Sequence, residues 1–252
     1  MTEEPTGEKE PAEETAAAQD ADSTYTDANG VIYHYYGYDD GTAEIYELED
    51  CKESTWDYKA LNIPSRIGDY TVTRLTFSLP SETPTFPSVT IPETVTYMKD
   101  SLFKRMKISE LYYNAETAET GAGGESTGVF FQAYIWELHI GGNVKVIPDY
   151  CFASSYMTMD ELTLDVERIG RKAFYDDKTI TTLTIGEDVK EIGREALAGN
   201  EIENIHSGMN IKVLQYLMGH AHSDVTMDVY NHIAGRQDVR EEVERYARVA
   251  GN

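Results

Sequence analysis

Cysteine is scarce in this chain of 252 residues, which has only Cys51 and Cys151, far apart in the sequence. Two distant cysteines cannot build a disulfide framework or a cluster of closely spaced metal-binding thiolates. Long apolar runs are also missing, because no stretch approaches the roughly 18 residues that a membrane-spanning helix requires. The first residues lack the basic and then apolar pattern of a secretory signal peptide.

Basic residues are few as well: 21 Lys and Arg stand against 45 Asp and Glu, giving a net charge of −24. An acidic surface repels phosphate backbones, which makes nucleic acid an unfavourable partner. The acidic, Thr- and Ala-rich beginning of the chain has no aromatic residue, and we predict a disordered leader over residues 1–23. Such a leader is typical of the region after a removed export signal. It therefore favours a secreted or surface location, or a cytoplasmic one if Met1 is native.

What the chain does have is an apolar skeleton that recurs along its second half. Copies begin at Leu138, Leu162 and Leu183, each with two alternating apolar residues, then two aliphatic residues three apart, then a small and a large residue. A fixed period of this size predicts stacked supersecondary units, a solenoid, over residues 60–205. Cys151 occupies the small position held elsewhere by Ala, so we predict that it is a buried core residue.

The same skeleton extends towards the beginning of the chain through Val89 and Leu111, with a start at Leu61. The interval between Leu111 and Leu138 is 27 residues, longer than the others, and holds a Gly- and Thr-rich segment that we interpret as an insertion loop. Before the repeats, aromatic and β-branched residues flank Asp39-Asp40-Gly41. This pattern predicts a β-hairpin cap within residues 24–59, with Gly41 at a positive φ.

The motif Ile-Pro-x-x-Val-x-x-Ile-x-x-x-Ala-Phe, entered through a hairpin, resembles the BspA-type leucine-rich repeat family of bacterial surface proteins. The likeness covers about residues 24–205, in which Leu197 replaces the usual Phe. It implies a β-rich α/β solenoid, export, display at the cell surface, and adhesion to a protein or glycan of a host or a neighbouring cell. It implies no catalysis and no cofactor, and it assigns no binding residues.

A different segment begins at residue 206 and lacks the repeat skeleton. Its apolar spacing predicts short α-helices, and it resembles the end of a tyrosine recombinase of the phage-integrase family. Gly219-His220 matches that family's late histidine motif, and Tyr230 stands at the position of its nucleophile. Phosphoryl transfer by tyrosine also needs arginines and a lysine around the phosphate, and the domain that carries them is absent. We therefore expect an inactive remnant that caps the last coil or pairs two copies; the alternative is a DNA-recombination protein.

Tyrosine is the abundant residue, with 18 copies. The candidate ligand contacts are Tyr33, Tyr35, Tyr112 and Tyr134, since tyrosine offers a rigid apolar surface with a polar tip. The other interpretation is that these residues are strand formers that lie half buried. His220-x-His222 with two nearby aspartates has only weak metal-ligand spacing, and we predict no metal site there.

Overall fold

The computed structural model describes residues 18–49, 59–79, 85–121, 123–186 and 188–206. These ranges contain strands and turns and no helix, and none of their elements could cross a membrane as a helix. The strands are β1 (Ala18–Thr26), β2 (Ile32–Tyr38), β3 (Thr42–Glu49), β4 (Leu61–Asn62), β5 (Arg66–Ile67), β6 (Tyr70–Leu75), β7 (Thr85–Ile91), β8 (Tyr97–Met98), β9 (Lys107–Tyr113), β10 (Glu119–Thr120), β11 (Tyr134–Ile140), β12 (Val146–Ile147), β13 (Tyr156–Met157), β14 (Glu161–Leu164), β15 (Arg168–Ile169), β16 (Thr182–Ile185), β17 (Glu191–Ile192) and β18 (Asn204–His206).

The hairpin predicted around Asp39-Asp40-Gly41 is confirmed. Strands β2 and β3 pair in antiparallel fashion, and Gly41 has a φ of 80°. The backbone N–H of Thr42 donates to Asp40 Oδ1 at 2.9 Å, which fixes the turn. Strand β3 then pairs in parallel with β6, so the hairpin forms the first layer of a sheet with the order β1-β2-β3-β6-β8-β10.

The first strand starts inside the segment predicted as a disordered leader, residues 1–23. Strand β1 begins at Ala18 and pairs with β2 as far as Thr26, so it crosses the boundary expected at residue 23. An edge strand is held by backbone hydrogen bonds along one side, and polar, acidic side chains do not prevent that pairing. Residues 1–17 lie outside the described part of the chain.

The leading strands of the repeats form a parallel sheet in two parts, β13-β11-β9-β7-β4 and β14-β16-β18. The predicted repeat positions are confirmed, because Leu61, Val89, Leu111 and Leu138 are successive partners in the register of the first part. In the second part Leu183 lies between Leu162 and Ile205. This periodic pairing is the solenoid that the spacing indicates.

The two parts of this sheet are separated by an irregularity after β13. Tyr134 pairs with Tyr156, 22 residues later, whereas Leu138 and Leu162 are 24 residues apart. The chain therefore has two extra residues between Met157 and Leu162, and the direct ladder from β11 to β14 is lost. A comparable break separates β10 from β12 in the other sheet, where the Gly-rich insertion lies.

On the third side of each coil the described chain forms turns and not helices. The prediction of an α-helical component in the solenoid is therefore wrong for the described residues. Backbone hydrogen bonds link the turns of successive coils, for example from Phe152 N to Ala173 O at 2.8 Å. Two columns of left-handed residues make these turns tight enough to stack. Their non-glycine members have φ between 50° and 61°: Ser101, Tyr150, Lys172 and Glu195 in the first column, and Arg105, Gln132, Ser154 and Asp176 in the second.

A column of phenylalanine rings runs through the core beside these turns. Phe103, Phe130, Phe152 and Phe174 stack with centroid separations of 4.9–5.1 Å and nearly parallel planes. The column ends at Leu197, which is also buried. Cys151 is fully buried, as predicted from its small position in the repeat. The helical fragment predicted over residues 206–252 lies outside the described residues except for His206, which ends strand β18.

Candidate functional site

The outward face of the strand sheet carries the side chains that the core does not use. In β11, Ile135 and Leu138 point inward, whereas Tyr134, Trp136, Glu137 and His139 are exposed. Two consecutive outward residues, Trp136 and Glu137, interrupt the simple alternation of a strand. The strand therefore presents four side chains to solvent on one short segment.

Five aromatic residues from three neighbouring coils lie on this face. We name them the aromatic patch. Three of its members are the large hydrophobic side chains most open to solvent in the described part of the chain, with exposures of 41–43 %. Large aromatic side chains with this exposure, placed on neighbouring coils, make this face a candidate interaction surface. The aromatic patch consists of Tyr112, Tyr134, Trp136, His139 and Tyr156.

The parallel register fixes the rings of the patch against one another. Tyr134 and Tyr156 are partners in the register, and their rings stack at 4.8 Å with an interplanar angle of 28°. Tyr112 and His139 are also partners, and they stack at 4.6 Å and 16°. Because these four rings support one another in pairs across neighbouring coils, they are fixed relative to one another before any ligand binds. Trp136 stacks on no ring of the described residues, and 41 % of its surface is exposed to solvent.

Carboxylates border the aromatic patch along the next row of the sheet. Glu110 and Glu137 are register partners. The Tyr112 hydroxyl donates to Glu110 Oε2 at 2.6 Å, and this hydrogen bond raises the pKa of Tyr112. His139 Nε2 lies 3.5 Å from Glu137 Oε2. Glu161 is exposed at the start of β14, in the second part of the strand sheet. The result is an aromatic surface with acceptors and negative charge beside it.

Two of the four predicted tyrosines, Tyr112 and Tyr134, belong to this patch. Tyr33 does not, because it is fully buried and its hydroxyl donates to Asn62 O at 3.0 Å. Its proposed role as a ligand contact is therefore wrong, and Tyr33 is a core residue. Tyr35 is partly buried against Tyr70 in the other sheet, with ring centroids 6.2 Å apart.

Sequence reasoning missed Trp136, His139 and Tyr156. The signal that could have found Tyr156 is its separation of 22 residues from Tyr134, one repeat period, which places the two residues side by side. The remnant positions His220 and Tyr230, and the weak metal-ligand candidate at His222, lie outside the described residues.

Metal, thiol and carboxylate chemistry each require a particular arrangement of side chains. The described side chains contain no group of three or more His, Cys, Asp or Glu placed to hold a metal ion. Burial raises the pKa of the Cys151 thiol well above its usual value, which disfavours the nucleophilic thiolate. Asp177 is buried and accepts hydrogen bonds from Ser155 Oγ at 3.0 Å and from Met157 N at 3.3 Å, so it ties adjacent coils together.

Two solved structures are similar to this chain at low scores. One is a leucine rich cell surface protein from Faecalibacterium prausnitzii A2-165, with 13 % identity, a TM-score of 0.25, and coverage of 75 % of this chain and 78 % of that chain. The other is the pneumococcal vaccine antigen PcpA, with 11 % identity, a TM-score of 0.26, and coverage of 75 % and 83 %. No curated protein matches the sequence.

A family model gives the firmer comparison. The model of the BspA type leucine rich repeat region matches in six copies over residues 59–124 and 81–203, which together span more than half of the chain. These residues are the ones that build the stacked strands, turns and phenylalanine column described above. On this ground the chain belongs to the BspA type leucine rich repeat family.

Proposed function

We propose that this protein is exported, displayed at the cell surface, and binds a macromolecular ligand, a protein or a glycan, through the outward face of its strand sheet. The observation that carries the proposal is the aromatic patch, in which Tyr134, Trp136 and Tyr156 remain exposed on an otherwise well-buried repeat core. Tyrosine and tryptophan are enriched at interfaces because they add large contact areas for little loss of conformational entropy.

The repeat architecture supports this role. Each coil contributes one strand to a continuous surface, and the core beneath holds that surface rigid. Binding then depends on shape and on contacts with the outward residues, and requires no covalent step. Family membership is consistent with adhesion, although the repeat motif itself consists of core positions and does not identify the ligand.

The binding role is tested with the full chain on an array of immobilised extracellular proteins and oligosaccharides. We expect the variant Trp136→Ser/Tyr156→Ser to lose most of the signal for any ligand that the wild type retains. The matched control is Thr163→Ser/Thr184→Ser, which changes two polar side chains on outward positions of β14 and β16. Loss of binding in both variants, or in neither, would contradict a binding site at the aromatic patch.

The surface location is tested separately by treating intact cells that express the native gene with a protease. We expect the repeat region to disappear from the cells while a cytoplasmic marker survives. Survival of the repeat region until the cells are broken would place the protein inside and overturn the location.

We propose further that the chain is not an enzyme and that residues 206–252 are an inactive recombinase remnant. The support is the absence from the sequence of the arginine-bearing core that phosphotyrosine chemistry needs. A suicide DNA substrate that traps a covalent intermediate is expected to yield no adduct with the wild type, as with Tyr230→Phe. An adduct that Tyr230→Phe abolishes would establish the alternative, DNA recombination.

For the same segment we propose a structural role, in which it caps the last coil or joins two copies of the chain. Light scattering of the full chain and of a chain ending at residue 206 measures the second possibility. A dimer that becomes a monomer on truncation would support pairing, whereas an unchanged mass and unchanged stability would exclude both roles.

A further inference from the structure

We propose that the ligand of the aromatic patch is a basic segment of a partner protein, one that presents Lys or Arg side chains. This inference rests on the proposed binding function and specifies the chemistry of what is bound. Its basis is the combination of exposed carboxylates, an exposed indole and a segregated distribution of charge on the described residues.

Several bases of the solenoid lie away from the strand sheet and form ion pairs there. Lys190 contacts Glu167 at 2.8 Å, and Lys145 contacts Glu116 at 3.4 Å across neighbouring coils. Arg168 is held by Asp149 at 3.0 Å. These ion pairs neutralise the corners of the coils where they occur.

The outward positions of the strand sheet are different. Among the described strands of this sheet, Lys107 is the one Lys or Arg at an outward position. Three acidic residues, Glu110, Glu137 and Glu161, also occupy outward positions of these strands. In a molecule of net charge −24, this face therefore keeps an uncompensated negative potential that attracts cations over distance.

Two of the carboxylates are available to a ligand. The side chain of Glu137 is 65 % exposed, and its Oε2 lies 3.5 Å from His139 Nε2. Glu161 is exposed and has no ion-pair partner among the described residues. Glu137 and Glu161 belong to the coils that carry Trp136 and Tyr156. At least one of these carboxylates therefore attracts a cationic group that is bound on the patch.

The aromatic patch also suits a cationic group. Trp136 is 41 % exposed and stacks on no ring of the described residues. Tryptophan is the aromatic side chain that binds ammonium and guanidinium groups best. A guanidinium over this indole can also form a charge-assisted hydrogen bond with a carboxylate such as Glu137.

A neutral glycan would make little use of this negative potential, and an anionic glycan would be repelled by it. The ligand class that satisfies the indole and the carboxylates together is a polypeptide with basic side chains. Its apolar stems can also cover the exposed tyrosine edges, as long Lys and Arg side chains do on apolar surfaces.

The test uses the full chain and a fluorescent peptide of alternating Arg and Gly-Ser units, with affinity measured by anisotropy at two salt concentrations. We expect Trp136→Ser, which leaves the charge unchanged, to weaken binding about tenfold. Glu137→Gln/Glu161→Gln should weaken it by a similar factor. The matched control Asp39→Asn/Glu93→Gln removes two exposed charges outside the patch and should change the affinity by less than about twofold.

Equal losses in the control and in Glu137→Gln/Glu161→Gln would show diffuse attraction to an acidic protein and would overturn the proposal. So would an affinity that Trp136→Ser leaves unchanged. A neutral oligosaccharide on the array that binds in a Trp136-dependent manner, while the basic peptide does not bind, would overturn the basic partner but preserve the proposed function. Failure of every arrayed ligand to depend on the patch would overturn both.

Discussion

The hydroxyl group of Tyr113 lies in the core without a hydrogen-bond partner among the described residues. Burial alone accounts for most of the strong rise in its pKa, since the phenolate could not be solvated there. An unpaired buried hydroxyl costs about 1–3 kcal/mol relative to water. The neighbouring positions in the register are Ile91 and Ile140, which shows that this column accepts purely apolar side chains.

We therefore expect Tyr113→Phe to raise the free energy of unfolding by about 1 kcal/mol, because it removes the unpaired oxygen and keeps the ring. Urea unfolding followed by circular dichroism measures the change. The control is Tyr112→Phe, the adjacent residue, whose hydroxyl is bonded to Glu110 at the surface and whose loss should be neutral or slightly destabilising. A lower stability for Tyr113→Phe than for the control would contradict the account.

Asp177 provides a residue-scale prediction of pH dependence. Burial raises its pKa, although hydrogen bonds from Thr179 and Ser155 oppose the shift. A carboxyl whose pKa is higher in the folded state favours folding while it is protonated. That contribution is complete below the ordinary pKa of an aspartate and is lost as the pH rises through the raised value. Asp177→Asn cannot ionise. As the pH rises through this window, the free energy of unfolding of the wild type should therefore fall relative to that of the variant. A pH-independent difference would contradict it.

Close approach of backbones at one corner of the coils depends on glycine. A Cβ on Gly193 would lie 2.3 Å from Arg171 N and 2.5 Å from Gly170 C, and both of these are backbone atoms that cannot rotate away. We expect Gly193→Ala to destabilise the protein by about 1–3 kcal/mol, as overpacking does. Gly142→Ala, in the turn after β11, meets nothing within 4 Å and should change stability little. Thermal unfolding of the two variants measures the contrast, and similar melting temperatures would refute it.

At the scale of elements, periodic features were predictable from the sequence and aperiodic ones were not. The strand positions at Val89 and Leu183 follow from repeating apolar residues, and the hairpin follows from Gly41. The role of Tyr33 was not predictable, because a register shift between His34 and Tyr35 changes which side chains of β2 face the core. The aromatic patch was predicted only in part. The residues of each stacked pair are far apart in the sequence, and the pairing of strands from different coils brings their rings together.

The molecule as a whole is joined most continuously along its turns. The strand sheet is interrupted between β11 and β14, and the second sheet is interrupted between β10 and β12. Turn hydrogen bonds and the phenylalanine column pass both interruptions, from Phe103 to Phe174. Since a repeat protein is stabilised by its nearest-neighbour interfaces, the interface that relies on Phe152 couples the two halves of the solenoid.

Phe152 stacks on Phe130 at 4.9 Å and on Phe174 at 5.0 Å, whereas Phe174 stacks on Phe152 alone. We expect Phe152→Leu to cost about 2–3 kcal/mol of unfolding free energy and Phe174→Leu about half as much, because each lost ring pair adds to the lost packing volume. Hydrogen exchange of Phe152→Leu should show faster opening of residues 161–206 than of residues 61–113, since the coils beyond the interrupted ladder lose their main connection. Equal costs for the two variants, or uniform loss of protection along the solenoid, would show that the strand ladders rather than the ring column couple the halves.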